Sequence, residues 1–153
     1  MAEKFNGSFT QQEAISEKAI EAAVRILRSG RLHRYNMVGG EVGETALLEV
    51  EFAERFGARY CLAVASGGYG LATALRALGV KAGDKVLTNA FTLAPVPGSI
   101  AAVGANPIYV DVTEDLVIDL DDLIAKSHQS RFLMLSHMRG HICDMDALMA
   151  ICN

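Results

Sequence analysis

The chain has little of what marks a secreted, membrane-spanning or nucleic-acid-binding protein. Its three cysteines, Cys61, Cys143 and Cys152, are an odd number, lie far apart and contain no CxxC pair. A disulfide framework is therefore not indicated, and reduced core thiols in a cytoplasmic protein are expected. His137, His141 and Cys143 have a spacing that suits no common structural zinc site, so no metal is expected. No basic cluster stands out, which argues against nucleic acid as a partner. No apolar run reaches the length of a membrane span, and no membrane partner is expected. The opening Met1-Ala-Glu-Lys-Phe-Asn6 lacks the apolar core of a secretory signal. Internal repeats and low-complexity linkers are also missing.

What is there is an ordinary globular composition. Of 153 residues, 51% are hydrophobic and 21% charged, with a net charge of −4. Mean hydropathy is +0.24, somewhat apolar for a soluble chain, as if part of the surface were meant for another domain or subunit. The length suits one domain with a sizeable core.

The most informative stretch runs from Cys61 to Leu71. An apolar run rich in strand formers stops at Ser66-Gly67-Gly68-Tyr69-Gly70, and a helical pattern begins at once. A helix's first turn has free N–H groups and the positive end of the dipole, which suits an anion. Glycines let the backbone approach a phosphate without obstruction. The amides around Ser66, Gly67 and Gly68 are therefore a candidate phosphate site. The alternative is a turn that is glycine-rich only because it is tight.

Thr10-Gln-Gln-Glu13 reads as a capping box, followed by apolar positions at helical spacing as far as Leu27, with Gly30 as C-cap. Residues 31–43, including Asn36, read as loop, and 44–56 as a second helix stopped by Gly57. Strands are expected at 60–65, 85–88, 107–110 and 131–136. Helices are expected at 69–78, 99–103, 119–125 and beyond Asp144. Pro95, Pro97 and Gly98 read as breakers of the loop between the second strand and its helix. Strand–helix alternation implies an α/β fold with a mainly parallel sheet sandwiched by helices. Ligands in such sheets bind beyond the carboxyl ends of the strands. That selects the loops Ser66–Gly70, Asn89–Pro97, Asp111–Glu114 and His137–Cys143. Asp111 reads as a turn cap. Arg34 and Arg139 are candidates for a substrate carboxylate or phosphate, or else solvated surface arginines. The sequence stops at Asn153 in an apolar helical pattern, which reads as a cut within an α/β series.

The ordered series of motifs resembles one family. It comprises Leu27-Arg-Ser-Gly30, Gly40-Glu-Val42, Glu49-Val-Glu-Phe-Ala53, Ala65-Ser-Gly67, Leu75-Arg-Ala-Leu-Gly79, Gly83-Asp84-Lys-Val86, Phe91-Thr92, Gly104-Ala-Asn-Pro107, Val110-Asp111-Val112, His137-Met-Arg-Gly140 and Asp144-Met-Asp146. Together these are similar to the DegT/StrS-type sugar aminotransferases, of the aspartate-aminotransferase fold (fold type I), from about Phe9 to Asn153. The resemblance implies the N-terminal portion of the large domain of a pyridoxal 5′-phosphate (PLP) enzyme. Residues 1–43 would be an N-terminal helix and loop segment, and 44–153 an incomplete PLP-binding domain. It implies PLP as cofactor, a keto sugar (often nucleotide-linked) as amino acceptor, and a homodimer for the complete enzyme. Dehydratases, other PLP variants and amino-acid-directed enzymes of the family remain alternatives.

By the same resemblance, the cofactor phosphate falls on Ser66, Gly67 and Gly68. Gly68 stands where the family usually has Thr, so a hydroxyl is lost and Tyr69 is a candidate to compensate. The position that stacks on the cofactor ring falls on Leu93, with Phe91 as the alternative, and Phe91 reads equally as core. His137 matches the family histidine before a glycine turn, here Gly140, and reads also as a satisfied structural residue. Pro95 and Pro97 depart from the family's small residues.

Such chemistry needs a lysine amine and a carboxylate on the pyridine nitrogen. The family supplies both beyond the stretch matched here. Lys4, Lys18, Lys81, Lys85 and Lys126 do not match the family's lysine motif, and Asp144 and Asp146 fit helix capping. No catalytic residue is identifiable, and the isolated chain is expected to be inactive. It reads either as the N-terminal part of an aminotransferase-like enzyme or as a non-catalytic binding domain derived from one. An unrelated nucleotide-binding domain is disfavoured, because the glycines fit neither the dinucleotide fingerprint nor a P-loop.

Overall fold

A computed structural model describes residues 7–8, 10, 12–35 and 37–153. The opening hexapeptide with Lys4, and also Phe9, Gln11 and Asn36, lie outside the described residues. The chain divides into two compact units, Met1–Ala63 and Val64–Asn153.

In the first unit α1 spans Glu17–Ser29 and α2 spans Glu44–Phe56. The capping box at Thr10–Glu13 does not form. Ser16 is the cap instead, its Oγ accepting from the Ala19 amide at 3.3 Å, while the Thr10 hydroxyl bonds to Ser8. Gly30 ends α1 in the left-handed region (φ 68°), as its position after the last apolar repeat predicts. Glu49 on α2 accepts the Ala63 N–H at 2.8 Å and an Arg34 guanidinium N–H at 2.7 Å. The expected strand at 60–65 pairs with no strand among the described residues. A strand exists through its ladder, and here the Ala63 amide is spent on a carboxylate.

The second unit is built on β1 (Lys85–Asn89), β2 (Asn106–Val110) and β3 (Leu133–Met134), all parallel, in the order β2-β1-β3. Strand alternation sends β1 side chains to two separate cores. Val86 packs with Leu75, Val80, Ile100 and Ala105, under α3 (Gly67–Ala77) and α4 (Pro95–Ala102). Leu87 packs with Val110, Ile118, Leu123 and Leu148, under α5 (Leu120–Ser127) and α6 (Met145–Cys152). The sheet is therefore covered on both faces, as expected. Each fully buried aliphatic side chain contributes about 1.5–3 kcal/mol.

Two boundaries differ from expectation. Pro95 and Pro97 do not break the loop but open α4. They occupy first-turn positions, where no intrahelical N–H bond is lost, while Val96 and Gly98 donate to Leu93 O and Ala94 O. β3 is two residues long rather than six, because side chains take over its hydrogen bonds at both ends. At the amino end Ser130 Oγ donates to Lys85 O and accepts from Phe132 N. At the carboxyl end the Asn89 carboxamide binds Ser136. Asp119 and Asp144 cap α5 and α6 as their positions predict.

Candidate cofactor site at the carboxyl ends of the strands

The chain leaves β1 for β2 through α4 on one face, then returns past β1 to β3 through α5 on the other. The carboxyl end of β1 is thus where the connections reverse direction, which is where open α/β sheets bind ligands.

Ser66 caps α3, its Oγ accepting from the Tyr69 amide at 3.2 Å and its carbonyl from Gly70 at 3.0 Å. The Gly67 and Gly68 amides are left without an acceptor among the described residues. The three glycines here do different work. A Cβ at Gly70 would come 3.3 Å from Val64 Cγ2, so Gly70 serves packing. A Cβ at Gly67 would meet nothing within 4 Å, and one at Gly68 only Pro95 Cβ at 3.8 Å. Gly67 and Gly68 therefore leave space rather than relieve a clash. A groove of about 430 Å³ runs between α3 and α4 and is lined by Ser66, Gly68, Tyr69, Arg76 and Pro95 among others.

The remaining candidates lie on the loops beyond β1 and β3. Leu93 (58% exposed) and Tyr69 (60%) present apolar surface to solvent, His137 is exposed and Phe91 is half-buried. Ser66, Gly68 and Tyr69 share the groove; Phe91, Leu93 and His137 do not line it. The Phe91 and His137 loops are instead joined through Asn89. Its Nδ2 donates to Phe91 O at 2.8 Å and to Ser136 O at 3.1 Å, and its Oδ1 accepts the Ser136 N–H at 2.9 Å. Asn89 is 1% exposed, and sequence reasoning placed it only as a loop boundary. Its signal was a polar amide in the last position of a buried strand, just before the loop. Beside it, the Thr88 and Thr92 hydroxyls are buried with no partner. Asp111 turns its carboxylate onto the Val112 amide, which is a local turn bond. Among the described residues no group of His, Cys, Asp or Glu is arranged to hold a metal.

The three lysines of the second unit are placed as follows. Lys85 begins β1, Lys81 lies in the turn before it, and Lys126 Nζ is held by Tyr109 O at 2.9 Å and Asp122 at 2.6 Å. Lys126, and then the Asp111 amide, hold the Asp122 carboxyl below the usual range. Burial pushes the Cys143 thiol up.

The fold is that of the N-terminal part of the large domain of fold type I PLP-dependent transferases. Residues 13–153 match the DegT/DnrJ/EryC1/StrS aminotransferase family, and the chain belongs to it. PLP is the cofactor of that family. A UDP-2-acetamido-2-deoxy-3-oxo-D-glucuronate aminotransferase of Pseudomonas aeruginosa is 33% identical over 92% of this chain and 38% of its own length. An aminotransferase from Psychrobacter cryohalolentis superposes with a TM-score of 0.78 at 28% identity, covering 94% of this chain and 36% of that one. A protein described as a sugar aminotransferase, Spr1654 of Streptococcus pneumoniae in its PLP-form, gives 0.75 at 28% identity, covering 90% and 34%. The chain spans 25% to 38% of the length of the curated relatives it matches.

Proposed function

We propose that this chain is the phosphate-holding part of a PLP-dependent aminotransferase that passes nitrogen from an amino donor to a keto sugar. The observation that carries the reading is the Ser66-capped α3, with open amides at Gly67 and Gly68, beside the reversal point of the sheet. The fit is favourable on two counts. No Cβ blocks those amides, and the buried Thr88 and Thr92 hydroxyls at the same strand end have unmet hydrogen-bonding capacity.

In this reading the Gly67 and Gly68 N–H groups, the Ser66 hydroxyl and the α3 dipole bind the phosphate. Tyr69 stands where it can add a hydroxyl in place of the one Gly68 lacks. Leu93, with Phe91 as the alternative, covers the ring face and excludes water. His137 closes the opposite rim. PLP supplies the electrophilic aldehyde and an electron-withdrawing ring when bound. The amine that moves the substrate proton is not among Lys81, Lys85 and Lys126, which lie at the amino end of β1 or are held by Tyr109 and Asp122. With none of these three placed for that role, no transamination is expected from the 153-residue chain alone. The keto-sugar substrate rests on relatives such as the glucuronate aminotransferase. Action in the cytoplasm rests on three free cysteines, and the homodimer on the apolar surface that α1 and α2 leave exposed.

The test is titration of the intact protein with PLP, followed by the absorbance of the bound cofactor. Gly67→Val fills the open space above the amides and is expected to weaken binding about tenfold or more. Gly68→Thr fits beside Pro95 and restores a hydroxyl, so tighter binding is expected. If neither variant changes affinity, the phosphate does not sit on α3.

A further inference from the structure

β1 and β3 pair through only two residues each, Leu87 with Leu133 and Thr88 with Met134. Beyond Thr88 the backbone ladder stops, and the Asn89 carboxamide replaces it. One side chain then makes three hydrogen bonds, to Phe91 O, Ser136 O and Ser136 N. A continued ladder would draw the two strands on in parallel. The carboxamide instead ties the start of the Phe91 loop to the residue before His137, at the reversal point of the sheet. The other end of the same strand pair offers a natural comparison. There the Ser130 hydroxyl binds Lys85 O and the Phe132 amide, far from the candidate site. Strand pairing alone is served by either clamp, but only the Asn89 clamp fixes two loops that carry site residues.

We propose that Asn89 is a positioning residue of the cofactor pocket, its carboxamide setting the spacing between the Phe91–Leu93 wall and the His137 wall. The proposal rests on the reading of the site as a PLP site. Asn89 touches neither cofactor nor substrate in this role; it acts through the carbonyl of Phe91 and the backbone of Ser136. Loss of the carboxamide frees both walls at once and leaves the Ser66–Gly68 amides in place. Affinity for the ring, rather than for the phosphate, is what should suffer.

The test compares Asn89→Ala with Ser130→Ala in the intact protein. Thermal unfolding measures the stability lost, and titrations measure affinity for PLP and, separately, for inorganic phosphate as competitor. Both variants lose a β1–β3 clamp, so both are expected to unfold at lower temperature. Only Asn89→Ala is expected to lose PLP affinity, by about tenfold, with phosphate competition unchanged. Equal PLP affinities in the two variants, or equal losses, overturn the proposal. If Asn89→Ala fails to unfold cooperatively, the milder Asn89→Ser is read by the same criterion. A wild-type protein that takes up no PLP overturns the functional reading itself. A wild-type protein that binds as well as Asn89→Ala removes Asn89 alone.

Discussion

At the scale of single residues, backbone conformation decides most of what the side-chain alphabet leaves open. Gly104 has φ 79°, and a Cβ there would lie 2.9 Å from Ala82 Cβ. Gly104→Ala therefore combines a left-handed cost of about 1–2 kcal/mol with a clash, and a fall in urea midpoint larger than for ordinary surface changes is expected. Leu116 pays a similar conformational cost at φ 62° without glycine's freedom. Leu116→Asn is expected to raise stability by about 0.5–1 kcal/mol, since Asn tolerates that region; an unchanged midpoint would refute it. Glu49 supplies a pH dependence. The Ala63 amide and then Arg34 hold its carboxyl below the ordinary range. The unfolded chain thus binds the proton more tightly than the folded one. The stability is complete above about pH 4.3 and is lost as pH falls through the lower folded value. Thermal scans of Glu49→Gln against pH are expected to show a flatter acid limb. The sequence showed that Ser66–Gly70 was special, because a strand-like run met a helix there. It did not separate the packing glycine, Gly70, from the open pair before it, because that distinction lies in the position of Val64.

At the scale of elements, type was easier to read than extent. The helices at 17–29, 44–56, 67–77, 120–127 and 145–152 follow apolar spacing and glycine or aspartate punctuation closely. Boundaries shift where a second residue of suitable chemistry competes. Thr10 and Ser16 are both good caps, and the helix takes the later one. Ser16→Ala is expected to cost about 1 kcal/mol while Thr10→Ala costs nothing measurable, as urea unfolding of the two variants would show. Pro95 and Pro97 read as breakers because proline stops a helix interior, yet the same ring suits a helix start. Apolar content predicts a six-residue strand at 131–136, where β3 has two residues, and a strand at 60–65, where none forms. Pairing is a tertiary property, and neither Asn89 nor Ser130 announces from sequence that it will replace a ladder.

At the scale of the whole molecule, the family was legible, because it rests on motifs in fixed order; the phosphate site proposed at Ser66–Gly68 comes from one of those motifs. The link between the Phe91 and His137 loops was not legible, since Asn89 and Ser136 lie far apart in the chain. The catalytic expectation is also molecular in scale. Borohydride reduction of the PLP-loaded intact protein, followed by peptide mapping, should place the fixed cofactor on none of Lys81, Lys85 and Lys126. A label on any of them would overturn the assignment. The two unequal neighbours of β1 also bear on how the molecule is assembled in time. β2 pairs with β1 at five positions across residues 90–105, whereas β3 pairs at two across residues 90–132. Closing the longer loop costs more entropy and returns fewer contacts. The β1–α4–β2 unit is therefore expected in the folding nucleus, with β3 docking afterwards. In stopped-flow experiments Ile100→Ala should slow refolding, and Leu133→Ala should chiefly hasten unfolding. The loop that carries His137 would then be the last part of the sheet to arrive and the first to leave.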